Sequence, residues 1–261
     1  MTERSDWLVV VPTLEEAANI GQLCSDLLAL EPAVDVLVVD DHSRDGTAAV
    51  VAELARSEPR LHLVERTFDR GRGSAGAAGF AWAELHGYAG VVEMDGDFSH
   101  PPSVVPELVR RVEQGYDLAI GSRFVAGASI ERRGLGRRVL TRGGMTFARI
   151  VLGFRVRDCN SGFRAWSASA LARTDAARAR SKGPAIVHEL LYRATRARLS
   201  WVEVPIRFAA RRHGQSKLGA RGIVAGLWSV LRLRFSRDVA PRRVGAAQTS
   251  PAAGRRRVGG A

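Results

Sequence analysis

Cysteine is nearly absent. The 261 residues contain two, Cys24 and Cys159, which excludes a disulfide scaffold, and neither has a second Cys or a His at metal-ligand spacing. Long apolar runs are missing as well. No stretch approaches the ~18 consecutive apolar residues of a membrane-spanning helix, so none is expected. Met1 to Asp6 is polar and mixed in charge, which is not the pattern of a signal peptide. These absences predict a reducing, cytoplasmic setting. Lysine is scarce too: Lys182 and Lys217 are the two exceptions among 39 basic residues.

What is present suffices for a core. The chain is 46% hydrophobic and 25% charged, a balance that argues against wholesale disorder. The net charge of +12 is uneven, because nine arginines face one acid, Asp238, from Gly219 onward. Pro241 to Ala261 is mostly Arg, Gly, Ala and Pro without periodicity, and is expected to be disordered. Arginine dominates throughout, so basicity alone points weakly to nucleic acid. Aromatic interleaving, helix-turn-helix and finger signatures are missing, and no nucleic-acid partner is expected.

Short apolar runs alternate with helical patterns. Strands are predicted at Trp7–Val11, Val34–Val39, Leu61–Glu65, Gly90–Met94 and Leu118–Gly121. Helices are predicted at Glu15–Leu30, from Asp45-Gly46-Thr47 to about Ser57, and at Ala75–His86 and Pro101–Gln114. This order predicts an α/β fold with a doubly wound, mostly parallel sheet. Runs such as Val36–Val39 fit strands buried on both faces. Further on, Gly127–Gly136 reads as a mobile loop. Arg138–Phe154 and Pro184–Ala197 read as helices, Trp201–Arg207 as a strand, and Ile223–Leu233 as an apolar segment with arginines at its ends.

In open parallel sheets, ligands bind beyond the carboxyl ends of the strands. The polar groups gather there: Pro12 to Glu16, Asp40 and Asp41, Asp95-Gly96-Asp97, and Ser122-Arg123. Asp95 and Asp97, two residues apart at a strand end, can converge on one hard cation such as Mg2+ or Mn2+ holding a diphosphate. Small Gly96 lets a ligand approach the backbone. Gly71-Arg72-Gly73-Ser74-Ala75 reads equally as a phosphate cradle or as a flexible loop with close helix packing. Arg211, Gly214, Ser216 and Lys217 form a basic loop after a strand. His100 and His188 lack a Ser or Cys nucleophile at recognisable spacing, so a hydrolase triad is not expected. Cys159 reads as a small packed residue.

These residues match a known pattern. Its segments are Val11 to Glu16, Val39 to Thr47, Gly71 to Ala75 with Gly79-Phe80, and Met94 to Pro102. Gly121 to Phe124, Asp158 to Arg164, and Arg211 to Leu218 complete it. The chain resembles family 2 glycosyltransferases of the GT-A fold, and within them the dolichol- or polyprenol-phosphate mannose synthases. The resemblance implies a GT-A catalytic domain over 1–218, an amphipathic membrane-proximal segment over 219–240, and the basic tail over 241–261. It implies that Pro12, Leu14, Glu16, Val38 and Asp40 hold the nucleotide, with Asp95, Gly96 and Asp97 at the metal and diphosphate. Arg123 and Arg137, helped by Thr141, would grip a lipid phosphate, while Arg211 and Lys217 would close over the donor diphosphate. The implied catalytic set is Asp95, Asp97, Arg123, Arg137 and Lys217. Leu14 stands where the family usually has Tyr, Glu15 where it has Asn, and Gly96 where it has Ala. Ser99 stands where some relatives have a metal-ligating Gln, and would act through water.

The implied reaction moves mannose from GDP-mannose to a polyprenyl or dolichyl phosphate, with inversion and with Mg2+ or Mn2+. A lipid acceptor implies peripheral attachment at the cytoplasmic face of a membrane, or a membrane-anchoring protein partner. Three rivals are set beside it: the same chemistry with UDP-glucose as donor, a non-enzymatic basic nucleic-acid-binding protein, and an inactive scaffold.

Overall fold

A computed structural model describes residues 4–131, 135–209 and 220–236. Seven strands form one sheet: β1 Trp7–Thr13, β2 Asp35–Asp40, β3 Leu61–Glu65, β4 Gly90–Glu93, β5 Leu118–Ser122, β7 Arg164–Ser167 and β8 Trp201–Pro205. Their order is β3-β2-β1-β4-β7-β5-β8. All pairings are parallel except those of β7, which runs antiparallel between β4 and β5. A small second sheet pairs β6, Ser129–Ile130, with β9, Arg207–Phe208. The helices are α1 Ala17–Leu28, α2 Thr47–Ala55, α3 Arg72–His86, α4 Val105–Glu113, α5 Leu135–Leu152, α6 Ala168–Thr174, α7 Ile186–Arg196 and α8 Ala220–Phe235. The architecture is the expected doubly wound, mostly parallel sheet with flanking helices, of GT-A type.

The two-residue period of β1 builds both halves of the core. Leu8 and Val10 pack with α3, α5 and α7 on one face. Val9 and Val11 pack with Ile20, Leu23 and Leu27 of α1 and Leu108 of α4 on the other. Every residue of β2 is buried, as its unbroken apolar run predicts. Gly79 lets α3 lie directly on β1, since a β-carbon there would stand 2.3 Å from Val10 Cγ1.

Three differences from the sequence reading bear on the site. Helix α3 starts at Arg72, three residues earlier than its pattern suggested. The reason is close approach: a β-carbon on Gly73 would fall 1.8 Å from the Ser181 carbonyl oxygen, and the Gly73 N–H donates to the Lys182 carbonyl at 2.7 Å. The glycine-rich turn is thus a helix-packing device, and that N–H is already used. Strand β7 and helix α6 were not anticipated; a buried arginine, Arg164, interrupts the apolar pattern of β7. The stretch read as a loop from Gly127 contributes β6 and the start of α5. Arg211, Lys217, the 218/219 boundary and the tail 241–261 lie outside the described residues, as does the side chain of Arg137 on α5.

Candidate active site

Strands β1, β2, β4 and β5 run parallel and end on one edge, so the chain segments that follow them meet there. At the β1 and β2 ends, Asp40 is fully buried. Its Oδ1 accepts from Thr13 Oγ1 at 2.8 Å and Ser43 Oγ at 2.6 Å, and its Oδ2 from the Ser43 N–H at 2.8 Å. Asp45 accepts the N–H groups of Thr47 and Ala17, fastening the start of α2 to that of α1. Glu16 accepts from Asn19 Nδ2 at 2.7 Å. Leu14 is 38% exposed at the rim. Val38 is fully buried within β2 and offers the edge no side-chain surface.

The acidic turn follows β4. Asp97 is buried and its Oδ1 accepts both the N–H and the hydroxyl of Ser99, at 3.0 and 2.5 Å. Ser99 therefore orients Asp97, a closer role than the water-mediated one its identity suggested. Phe98 sits between them at φ +60°, a left-handed conformation that a bulky residue holds only when its surroundings over-determine it. His100 supplies part of that restraint. It is buried, its Nδ1 accepts the Asp95 N–H at 3.2 Å, and its ring stacks on Phe163 with centroids 5.0 Å apart. Burial lowers its pKa against the pull of Asp95 and Asp97, and the Asp95 N–H facing Nδ1 makes that nitrogen the acceptor. The sequence showed His100 as no more than the head of a helix.

Arg123, after β5, is committed inward. Its Nε and Nη2 donate to Asp158 Oδ2 and Oδ1, both at 2.7 Å, and its backbone N–H donates to Oδ2 at 3.0 Å. Its side chain is 10% exposed and that of Asp158 fully buried. The pair is a strut tying β5 to the segment before β7. Thr141 lies partly exposed on α5, the helix that also carries Arg137.

The edge fits a divalent cation in part. Among the described residues no cluster of three His, Cys, Asp or Glu can hold a metal. Asp95 and Asp97 are two hard oxygen donors two residues apart, and the Asp95 side chain is 35% exposed. Mg2+ and Mn2+ commonly take one or two carboxylates and complete their shell with diphosphate oxygens and water. The donor set matches that pattern.

This edge and sheet define a nucleotide-sugar transferase of the GT-A type. The sequence signature described as "Glycosyl transferase family 2" matches residues 8–174. Polyprenol monophosphomannose synthase of Mycolicibacterium smegmatis is 39% identical over 85% of this chain and 84% of that one. Undecaprenyl-phosphate mannosyltransferase of Micrococcus luteus is 37% identical over 83% and 88%. Glucosyl-3-phosphoglycerate synthase of Mycobacterium tuberculosis, solved with Mn2+, UDP and glucosyl-3-phosphoglycerate, superposes with a TM-score of 0.65. It is 22% identical, with 92% of this chain and 82% of that one covered. The chain belongs to glycosyl transferase family 2, and it is a glycosyltransferase.

Proposed function

We propose that the chain transfers a hexose from a nucleoside-diphosphate sugar to a phosphate-bearing acceptor, with Mg2+ or Mn2+ held by Asp95 and Asp97. The observation that carries this is the convergence of the Asp95–Asp97 turn and the Thr13–Glu16 segment, braced by Asp40, on one strand edge. Pro12, Leu14 and Glu16 frame the nucleotide end, braced by the buried Asp40 through Thr13 and Ser43; Gly96 does not open ligand space as its size suggested but seats the turn against β1, where a β-carbon would stand 3.3 Å from Thr13 Cγ2. Arg211 and Lys217 are assigned to the donor diphosphate, and Arg137 with Thr141 to the acceptor phosphate.

The chemistry asks little of a base. A phosphate monoester is largely dianionic at pH 7, its second pKa being about 6, so the nucleophile needs no deprotonation. The residues bind and orient, and their charges are aimed where the leaving diphosphate gains charge. When bound, the cation supplies Lewis-acid stabilisation of that leaving group. In-line attack inverts the anomeric carbon.

A polyprenyl phosphate is the acceptor favoured by the curated relatives, and helix α8 suits it. Val230 and Leu233 are buried, while Trp228 is 68% and Phe235 79% exposed, with Arg232 and Arg234 beside them. An outward apolar stripe with arginines on its flanks suits an anionic membrane surface. Among the described residues no helix is long and apolar enough to cross a membrane, so the attachment proposed is peripheral.

The donor divides the comparisons. The curated relatives are mannosyltransferases by name, which favours GDP-mannose. Solved structures of the M. tuberculosis synthase hold UDP-glucose and Mn2+, which favours a UDP-sugar. Radiolabelled GDP-mannose and UDP-glucose, each offered with Mn2+ and either polyprenyl phosphate or 3-phosphoglycerate, separate the cases. Label extracted into organic solvent identifies the lipid acceptor and the donor together. No transfer from either donor to either acceptor would sink the proposal.

A further inference from the structure

Arg72 opens α3 and points at the acidic turn. Its Nε and Nη2 both donate to one oxygen, Asp95 Oδ1, at 3.1 and 3.0 Å. Its side chain is 24% exposed and that of Asp95 35%, so the pair is partly buried rather than on open surface. The fold makes room for it: a β-carbon on Gly162 would stand 2.3 Å from Arg72 Nη2. Behind it lies Glu93, 3% exposed, in register with Arg164 of β7 and with Oε2 lacking a hydrogen-bond partner. Burial lowers the Arg72 pKa, but Asp95 and Glu93 outweigh it and hold the group above its ordinary value. Burial raises the Glu93 carboxyl, opposed by Arg72 and Arg164.

We propose that Arg72 is a built-in counter-cation for Asp95, a positioning residue that makes divalent-cation binding conditional on a nucleoside diphosphate. A cation arriving alone must displace the guanidinium from Asp95 Oδ1 or sit beside a like charge. A diphosphate arriving with it brings negative oxygens that can accept from the released guanidinium. The inference rests on the cation and nucleotide reading above, and it assigns that site a binding order.

The experiment is a Mn2+ titration of the full chain by electron paramagnetic resonance, with and without UDP or GDP. Wild type is expected to bind Mn2+ weakly alone and much more tightly with nucleotide. The double variant Arg72→Met/Glu93→Gln removes the guanidinium while retiring the buried acid it serves. It is expected to bind Mn2+ alone about tenfold more tightly, the scale of one charge-assisted contact, with a smaller gain from nucleotide. Gly162→Ala keeps every charge but crowds the guanidinium, and is expected to shift Mn2+ affinity in the same direction by less. Thermal melts select folded variants, and Gly162→Ala carries the test if the double variant does not fold. Unchanged or weaker Mn2+ affinity in a folded variant overturns the role of Arg72 while leaving nucleotide binding intact. A wild type that binds neither nucleotide in the presence of Mn2+ overturns the underlying reading as well.

Discussion

Removing the carboxylate of Asp158 isolates the strut at the end of β5. Asp158→Ala leaves the Arg123 guanidinium, 10% exposed, facing a fully buried void where three hydrogen bonds had been accepted. Breaking one side of a buried ion pair costs about 3–5 kcal/mol, because the remaining charge keeps its desolvation penalty without a partner. For a domain of this size each kcal/mol moves Tm by about 2–4 °C, so a fall of roughly 10 °C is expected. Replacing both partners with apolar residues, Arg123→Met/Asp158→Leu, should recover most of that loss, since paired burial of charge is close to neutral against well-packed hydrophobes. Arg123→Lys keeps the charge but not the fork, and should lose at least half as much as Asp158→Ala. Scanning calorimetry with urea melts gives all four values. The strut is refuted if Asp158→Ala melts within about 2 °C of wild type, or if Arg123→Lys leaves Tm intact and raises only the acceptor KM.

Gly79→Ala places a β-carbon 2.3 Å from Val10 Cγ1 and should destabilise by about 1–3 kcal/mol through overpacking; adding Val10→Ala should relieve part of the crowding, and a melt that shows no relief contradicts the contact. Burial and the nearby Arg164 lower the His188 pKa from 6.5 to about 4. Its contribution to stability is therefore complete above pH 6.5 and lost as pH falls toward 4, by on the order of 3 kcal/mol at most. Urea melts from pH 7 to 4.5 should show this slope in wild type and a shallower one in His188→Gln. Trp228→Ser/Phe235→Ser should abolish flotation with anionic vesicles at unchanged Tm, and equal flotation of wild type and variant would remove α8 from the membrane contact.

Much of the sheet was legible because its strands obey one simple rule. β1 and β2 are buried on both faces, so they appear as unbroken apolar runs ended by Pro12 or by Asp40-Asp41. The acidic turn was legible because it follows the short run Val91 to Met94 directly, although that run carries the buried Glu93. β7 was not, because it hides a charge: Arg164 is buried, its Nη1 donating to the Val187 carbonyl at 2.7 Å and its Nη2 to that of Cys159 at 3.3 Å. Those acceptors come from tertiary structure and leave no local trace. Arg123 shows the same limit. A Ser-Arg-Phe after a strand suggests a surface cation, and the partner that pulls it inward lies 35 residues later. The glycines at 71 and 73 were read as a cradle or as packing, and the Ser181–Gly183 backbone that decides between them also belongs to a distant segment.

Calorimetric titration of UDP and of GDP into the chain, in Mn2+ and in EDTA, for wild type and Asp97→Asn, reaches the central claim with the fewest assumptions. Wild type should bind one of the two nucleotides in Mn2+ and lose at least tenfold in EDTA, the scale of ~1.4 kcal/mol. Asp97→Asn should give the same weak binding in both buffers. Equal affinity of wild type and Asp97→Asn in Mn2+ would contradict the assignment of this strand edge to a cation-held nucleoside diphosphate.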